Sequence, residues 1–310
     1  MRIKPLLLAA ALAFAPAAAL AQPAPTAPRA PAAAAPLPDA DPALWVVRDA
    51  DTTIYLFGTI HLLDARPWFN DEVRAAFDAS DELVMEAIMP ADPAAMRTTV
   101  ERYAVDPDRR LLSSRLTPEQ YAALGRALTA AGLPPAAFDR YEPWFVAMTL
   151  GVLGAQRAGL SGGAGPETVL TEAAQRRRMP IGELEGVEAQ LRLLDTMPEA
   201  MQIAQLADVL EENDQLDEKM AAMLAAWSTG DVEGLIGLID ESRAEDPALH
   251  ALLFTTRNAA WAAWIDERLD RPGAVFVAVG AGHLAGRDSV QAVLGARGIR
   301  AARVPHTERE

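Results

Sequence analysis

Two histidines, two glutamates and an arginine stand at positions where their chemistry could be combined. The stretch Thr52–His61 reads T-T-I-Y-L-F-G-T-I-H. Thr52 to Phe57 are β-branched, aromatic or leucine, the composition of a buried strand, and Gly58 interrupts the pattern just before a histidine. Ala274–Val279 (A-V-F-V-A-V) is an even clearer strand, and it runs into Gly280-Ala281-Gly282-His283. Strand, glycine, two residues and histidine is therefore built twice. Each glycine permits a tight turn after its strand, so that the third following residue turns back over the sheet edge. Carboxyl ends of strands are where open α/β sheets gather their ligand sites. Neutral imidazoles there, together with a carboxylate, are suitable ligands for Zn²⁺, Mn²⁺ or Co²⁺, and an open position would activate water near neutral pH.

The carboxylates come from other strand ends. Asp81–Ile88 reads as a strand carrying Glu86 between Met85 and Ala87, where a structural strand takes an apolar side chain. Met179–Glu185 reads as another, and Glu185 is either a polar edge residue or a member of the site. Arg257 lies in an Ala/Trp-rich helix beside Asn258, Trp261 and Trp264, as a solvated residue or as a buried clamp for a carboxylate. His250, in the same helix, reads as an ordinary side chain. In a metal centre, His61 and His283 are ligands and Glu86 is a third ligand or the general base. Glu185 orients a ligand or completes the site, and Arg257 stabilises an oxyanion or holds a carboxylate.

The remaining elements must position these groups. Ala43–Arg48 is a strand joined to the next through the turn Asp49-Ala50-Asp51. Asn70–Ala79 is a helix capped by Asn70 or Asp71. A helical pattern fills the chain from Pro90 to about Gly159, with a helix start at Thr117-Pro118-Glu119-Gln120 and a core helix at Trp144–Ala155. The glycine-rich run Gly159–Pro166 lacks the Gly-Lys-Ser/Thr ending of a phosphate loop and reads as a flexible loop. Glu167–Arg178 is a short helix. Pro198–Trp227 carries one long amphipathic pattern closed by Gly230, and helices follow over Val232–Arg243 and Pro247–Leu269.

Composition narrows the functional classes. The 310 residues are 51% hydrophobic, enough for a substantial core, and carry a formal charge of −15 that argues against nucleic acid or an anionic membrane as partner. There is no cysteine, which removes disulfides, thiolate metal sites and a cysteine nucleophile. Basic Met1–Lys4, an apolar run to Leu20 and the small-residue site Ala19-Leu20-Ala21 predict a signal peptide over residues 1–21, cleaved after Ala21, and hence a periplasmic or secreted protein. The Ala/Pro-rich residues 22–42 read as a linker, and 43–310 as one domain with no transmembrane segment.

The ordered set Gly58-Thr59-Ile60-His61, Glu86, Leu184-Glu185-Gly186-Val187-Glu188-Ala189-Gln190, Arg257-Asn258 and Val279-Gly280-Ala281-Gly282-His283-Leu284 resembles the TraB/GumN family, related to the Tiki metalloproteases. The resemblance spans essentially the whole mature chain. It implies a mixed α/β fold whose central sheet gathers the N- and C-terminal strands around a large helical middle region. It also implies a metal-dependent peptidase that uses the two G-x-x-H histidines and a glutamate. Gly165-Pro166-Glu167 stands where the family often has an aspartate after a glycine, so Glu167 is given no role. The expected activity is hydrolysis of a peptide or small extracytoplasmic substrate with Mn, Co or Zn. The alternative is an accessory protein that binds a metal, haem or peptide without turning it over.

Overall fold

The computed structural model describes residues 37–69, 71–90, 92–211 and 216–306. The expected signal peptide, most of the linker and Asn70 lie outside them. Leu44–Arg48 (β1) and Thr52–Thr59 (β2) form the predicted hairpin. Asp49 closes its turn, Oδ1 accepting from the backbone N–H groups of Asp51 (3.1 Å) and Thr52 (2.8 Å). Asp71–Asp78 (α1) leads to Glu82–Met85 (β3), and then come Pro93–Ala104 (α2), Pro118–Ala130 (α3) and Pro143–Arg157 (α4). α3 starts with the reciprocal cap its sequence predicts: Gln120 N–H donates to Thr117 Oγ1 and Thr117 N–H to Gln120 Oε1. α4 is buried along nearly its whole length, as a core helix should be. Among the described residues no helix is long and apolar enough to cross a membrane.

Pro166–Arg177 (α5) is followed by Ile181–Glu183 (β4), Val187–Asp195 (α6), Glu199–Glu211 (α7), Leu216–Ser228 (α8) and Val232–Glu245 (α9). Over the pattern expected for Pro198–Trp227 the described residues form helices Glu199–Glu211 and Leu216–Ser228, residues 212–215 lying outside them. The helix expected over Pro247–Leu269 runs without interruption but widens at one turn: Pro247–His250 (α10), a π-helical turn at Ala251–Thr255, and Thr256–Leu269 (α11). Gly273–Gly280 (β5), a 3₁₀ turn at Ala281–Leu284, Val290–Ala296 (α12) and Ala301–Arg303 (β6) complete the fold.

The six strands make one mixed sheet in the order β4-β3-β5-β2-β1-β6. β2, β5, β3 and β4 run parallel, while β1 is antiparallel to both of its neighbours. Strands from both ends of the chain meet at the centre, as the resemblance implies. Side chains alternate across this sheet with period two. Ile54, Leu56, Val275, Val277 and Val279 pack on one face with Trp261 and Ile265 of α11 and Leu294 of α12. Phe57, Phe276 and Ala278 face the other way, into the core shared with the middle helices. The parallel register pairs Gly58 with Val279 and Thr59 with Gly280. The two G-x-x-H segments therefore leave adjacent strands, one residue out of step, at the same sheet edge.

Candidate functional site

Gly58 and Gly282 serve close packing, whereas Gly280 leads directly into the 3₁₀ turn at Ala281–Leu284. Neither Gly58 nor Gly280 has a left-handed φ. A Cβ on Gly58 would lie 3.0 Å from Cα of Ala281, so only glycine lets the second motif lie against the first. A Cβ on Gly282 would meet the Phe254 ring at 2.8 Å. Trp227 of α8 pins the first motif by donating its indole N–H to the carbonyl of Gly58 (2.8 Å). Trp144, Trp227 and Trp261 are core, and Trp264 is half-buried against it.

His61 is buried, and its Nδ1 lies 2.7 Å from Oε1 of Glu167, while Nε2 is buried with no hydrogen-bond partner. Glu167 is the residue to which the sequence assigned no role. It reaches the site because the glycine-rich run packs onto the segment after β2: Leu63 and Ser161 exchange backbone hydrogen bonds of 3.1 and 2.9 Å. A Cβ on Gly165 would come within 2.6 Å of the His61 carbonyl oxygen. The run is a docked support for α5 rather than a flexible loop. Burial alone would lower the His61 pKa, but the hydrogen-bonded Glu167 carboxylate, helped by Glu86 and opposed by Arg257, raises it overall. Burial likewise favours the neutral acid at Glu167, yet His61 and a hydrogen bond from Thr59 bring its pKa below the usual carboxylate range.

Glu86 stands one residue beyond β3 and is 3% exposed, so its charge must be met inside the protein. Oε1 accepts from Gly280 N–H (2.6 Å); Oε2 accepts from Arg257 NH2 (2.7 Å) and from the Gln190 amide (3.0 Å). Burial outweighs these donors and raises the Glu86 pKa. Glu185 follows β4 and accepts Arg257 Nε at 2.8 and 3.1 Å, so it belongs to the site rather than to the solvated edge. Arg257 is accordingly a buried clamp on two carboxylates, its guanidinium lying 4.7 Å from the Trp261 ring.

His283 is fully buried, between the rings of Trp261 (4.3 Å) and Phe254 (5.0 Å). Its Nδ1 lies 2.6 Å from Asn258 Oδ1 and its Nε2 3.0 Å from Arg257 NH1. Arginine only donates, so Nε2 is the lone-pair nitrogen and Nδ1–H donates to Asn258. Glu86 Oε1 is 3.8 Å from the same Nε2. The structure thus joins Glu86, Glu185, Arg257 and His283 by direct contacts, and couples His61 to Glu86 and Arg257 electrostatically. Glu167, Gln190 and Asn258 are the members sequence reasoning left without a role. Gln190 and Asn258 sit inside the motif segments already singled out, and that was their available signal.

Each histidine presents the side chain a divalent ion needs. One ring nitrogen is fixed by a carboxylate or amide, which directs the lone pair of the other toward the site. His283 Nε2 and Glu86 Oε1 are 3.8 Å apart, a spacing that two bonds of about 2 Å to one ion could span, and His61 Nε2 is a buried ring nitrogen without a partner. As arranged, no group of three or more His, Asp or Glu side chains among the described residues is placed to hold a metal ion. Arg257 NH1 faces the His283 lone pair and would have to yield it.

Fold and site together define a mixed α/β protein with a buried His/Glu/Arg cluster at the carboxyl edge of its parallel strands. The model of the TraB/PrgY/gumN family matches residues 43–303, and the chain belongs to that family. It is 27% identical over 255 residues to YbaP of Escherichia coli (strain K12), an uncharacterized protein, across 82% of this chain and 92% of that one. YbaP of Shigella flexneri matches to the same extent. No solved structure matches the chain.

Proposed function

We propose that this chain is an exported, divalent-metal-dependent hydrolase acting on peptides or similar amides outside the cytoplasm. The observation that carries the reading is the pair of pre-oriented imidazoles, above all the buried His61 Nε2 without a partner. His61 and His283 would hold the ion, one of Mn, Co or Zn, with Glu86 as third ligand or general base; the ion would supply Lewis-acid polarisation of a carbonyl and of water. As the general base, Glu86, whose pKa burial raises, would take up the proton of the attacking water. Glu185 holds Arg257 in place, and Arg257 offers guanidinium N–H groups to charge developing on the scissile oxygen. Family membership supports this reading without naming a substrate.

A second reading, a non-catalytic binder, draws on the contact of Arg257 with His283 Nε2, which describes a cluster balanced in its own right. Metal content of the purified chain, measured by elemental analysis beside His61→Ala and His283→Ala, separates the possibilities. Wild type should carry the metal and both variants should lose it; equal retention by both would sink the shared site. Metal loss with no cleavage of a broad peptide library by the wild type would select the binder. Because protons compete at His61, whose pKa is raised, metal affinity should weaken as pH falls.

A further inference from the structure

We propose that Asp288 is a positioning residue: with His250 and Thr255 it clamps the segment after β5 to the π-helical turn. Through Asn258, that clamp holds His283 in the tautomer whose Nε2 lone pair faces the site. Asp288 Oδ2 lies 2.8 Å from His250 Nε2 and accepts the Thr255 hydroxyl at 3.0 Å. Its main-chain carbonyl accepts the Asn258 side-chain N–H₂ at 2.8 Å. That bond decides which end of the Asn258 amide points where. With Nδ2 committed to a carbonyl, Oδ1 must face His283 Nδ1, 2.6 Å away, and an acceptor there requires the protonated Nδ1.

The surroundings keep this geometry narrow. Asn258 is 1% exposed and His250 3% exposed, so neither has water to substitute for its partner. The Phe254 ring lies between His250 and His283, 5.0 Å from each. Phe254 and Thr255 both belong to the π turn, an irregularity that often marks functional sites. Behind Asp288, Ser289 caps α12 through Ala292 N–H. His250 is thereby given a task that its sequence did not disclose.

The test reads His283 itself. Full chain labelled with ¹⁵N-histidine is examined by long-range ¹H–¹⁵N correlation, the His283 signals being those lost in His283→Ala, with circular dichroism to confirm the fold. Wild type should show one population with protonated Nδ1 and bare Nε2. Asp288→Ala should mix the tautomers, whereas Asp288→Asn, which keeps an acceptor for Thr255 and His250, should preserve the wild-type pattern. Asn258→Leu should mix them as well. If Asp288→Ala does not fold, Thr255→Val, which removes only the hydroxyl bond, must show partial mixing. A His283 pattern unchanged in folded Asp288→Ala, or in Thr255→Val where that stands in for it, overturns the proposal.

The consequence for binding rests on the metal-site reading and is measured separately. Zn²⁺ affinity of Asp288→Ala should fall about 10- to 100-fold, the usual effect of losing a group that orients a ligand. Wild type that binds no Zn²⁺, Mn²⁺ or Co²⁺ while the tautomer shifts as stated would retain the positioning role and reject the metal site.

Discussion

Arg257 donates through Nε to Glu185 and through NH2 to Glu86, and both of its partners lie largely out of solvent. Removing one member of a buried pair leaves the other charge uncompensated, whereas removing both can be nearly neutral. Arg257→Ala should therefore destabilise the chain by about 3–5 kcal/mol in urea denaturation. Arg257→Met combined with Glu86→Gln and Glu185→Gln, which leaves neither carboxylate uncompensated, should cost much less than Arg257→Met alone. Equal losses from Arg257→Met with and without the two Glu→Gln changes would mean that balancing buried charge is not what Arg257 supplies. The pH dependence has a definite sign. Arg257 acts to lower the Glu86 pKa, which burial already raises, so the Arg257→Ala variant raises it further. A carboxyl whose folded pKa exceeds its unfolded one contributes stability that is present at low pH and lost as pH rises through the folded value. The stability deficit of Arg257→Ala should accordingly be smaller toward pH 5 than at pH 8.

Elements, rather than single side chains, decide how these groups meet. Gly165 is the sharpest case, since a Cβ there would lie 2.6 Å from a backbone oxygen that cannot swing aside. Gly165→Ala should displace the loop that carries α5 and separate Glu167 from His61, with a stability loss of about 1–3 kcal/mol typical of overpacking. Gly163→Ala, where a Cβ would meet nothing within 4 Å, is the control. If the two variants have the same thermal midpoint and the same His61 ¹⁵N signals, the loop is not docked as described. Much of this arrangement is legible in the sequence because it depends on periodicity and composition: the hairpin, the two strand-to-histidine segments, Glu86 at a strand end and the α3 cap all follow from local patterns. The partnership of Glu167 with His61 is not legible, because it depends on a glycine run that looks flexible until the opposing carbonyl is in view. The π turn is equally hidden. Ala251–Thr255 has ordinary helical composition, and its widened turn places Phe254 and Thr255 against residues from the far side of β5.

At the scale of the whole molecule, the helical region has its own ionic centre, separate from the functional cluster. Arg115, 5% exposed at its side chain, donates to Asp106 (2.8 Å), Glu142 (2.7 Å) and Glu199 (2.6 Å). Those residues follow α2 and open α4 and α7, so one guanidinium ties three helices, and Arg110 adds bonds to Asp106 and Glu199. Burial would raise the Asp106 pKa, but hydrogen bonds and charge from Arg110, with Arg115, lower it overall; the Arg115 hydrogen bond leads the lowering at Glu199. A depressed folded pKa gives stability that is present above the unfolded value and lost as pH falls through the folded one. With an ordinary aspartate value of 3.8, the loss begins as pH drops below it. The net charge of −15 acts in the opposite sense, since protonating exposed carboxylates relieves self-repulsion. Salt distinguishes the two. Repulsion between exposed charges is screened over about 8 Å at physiological ionic strength, whereas the partly enclosed Arg115 cluster is screened less. Acid unfolding should therefore persist in 0.5 M salt (about 4 Å screening length by the same scaling), and Asp106→Asn should weaken stability at pH 7 while flattening its decline below pH 4. Arg115→Met should lower stability at pH 7 by about 3–5 kcal/mol while leaving the His61 and His283 ¹⁵N signals unchanged. A change in those signals would show that the ionic centre and the site at the sheet edge are one cooperative unit instead of two.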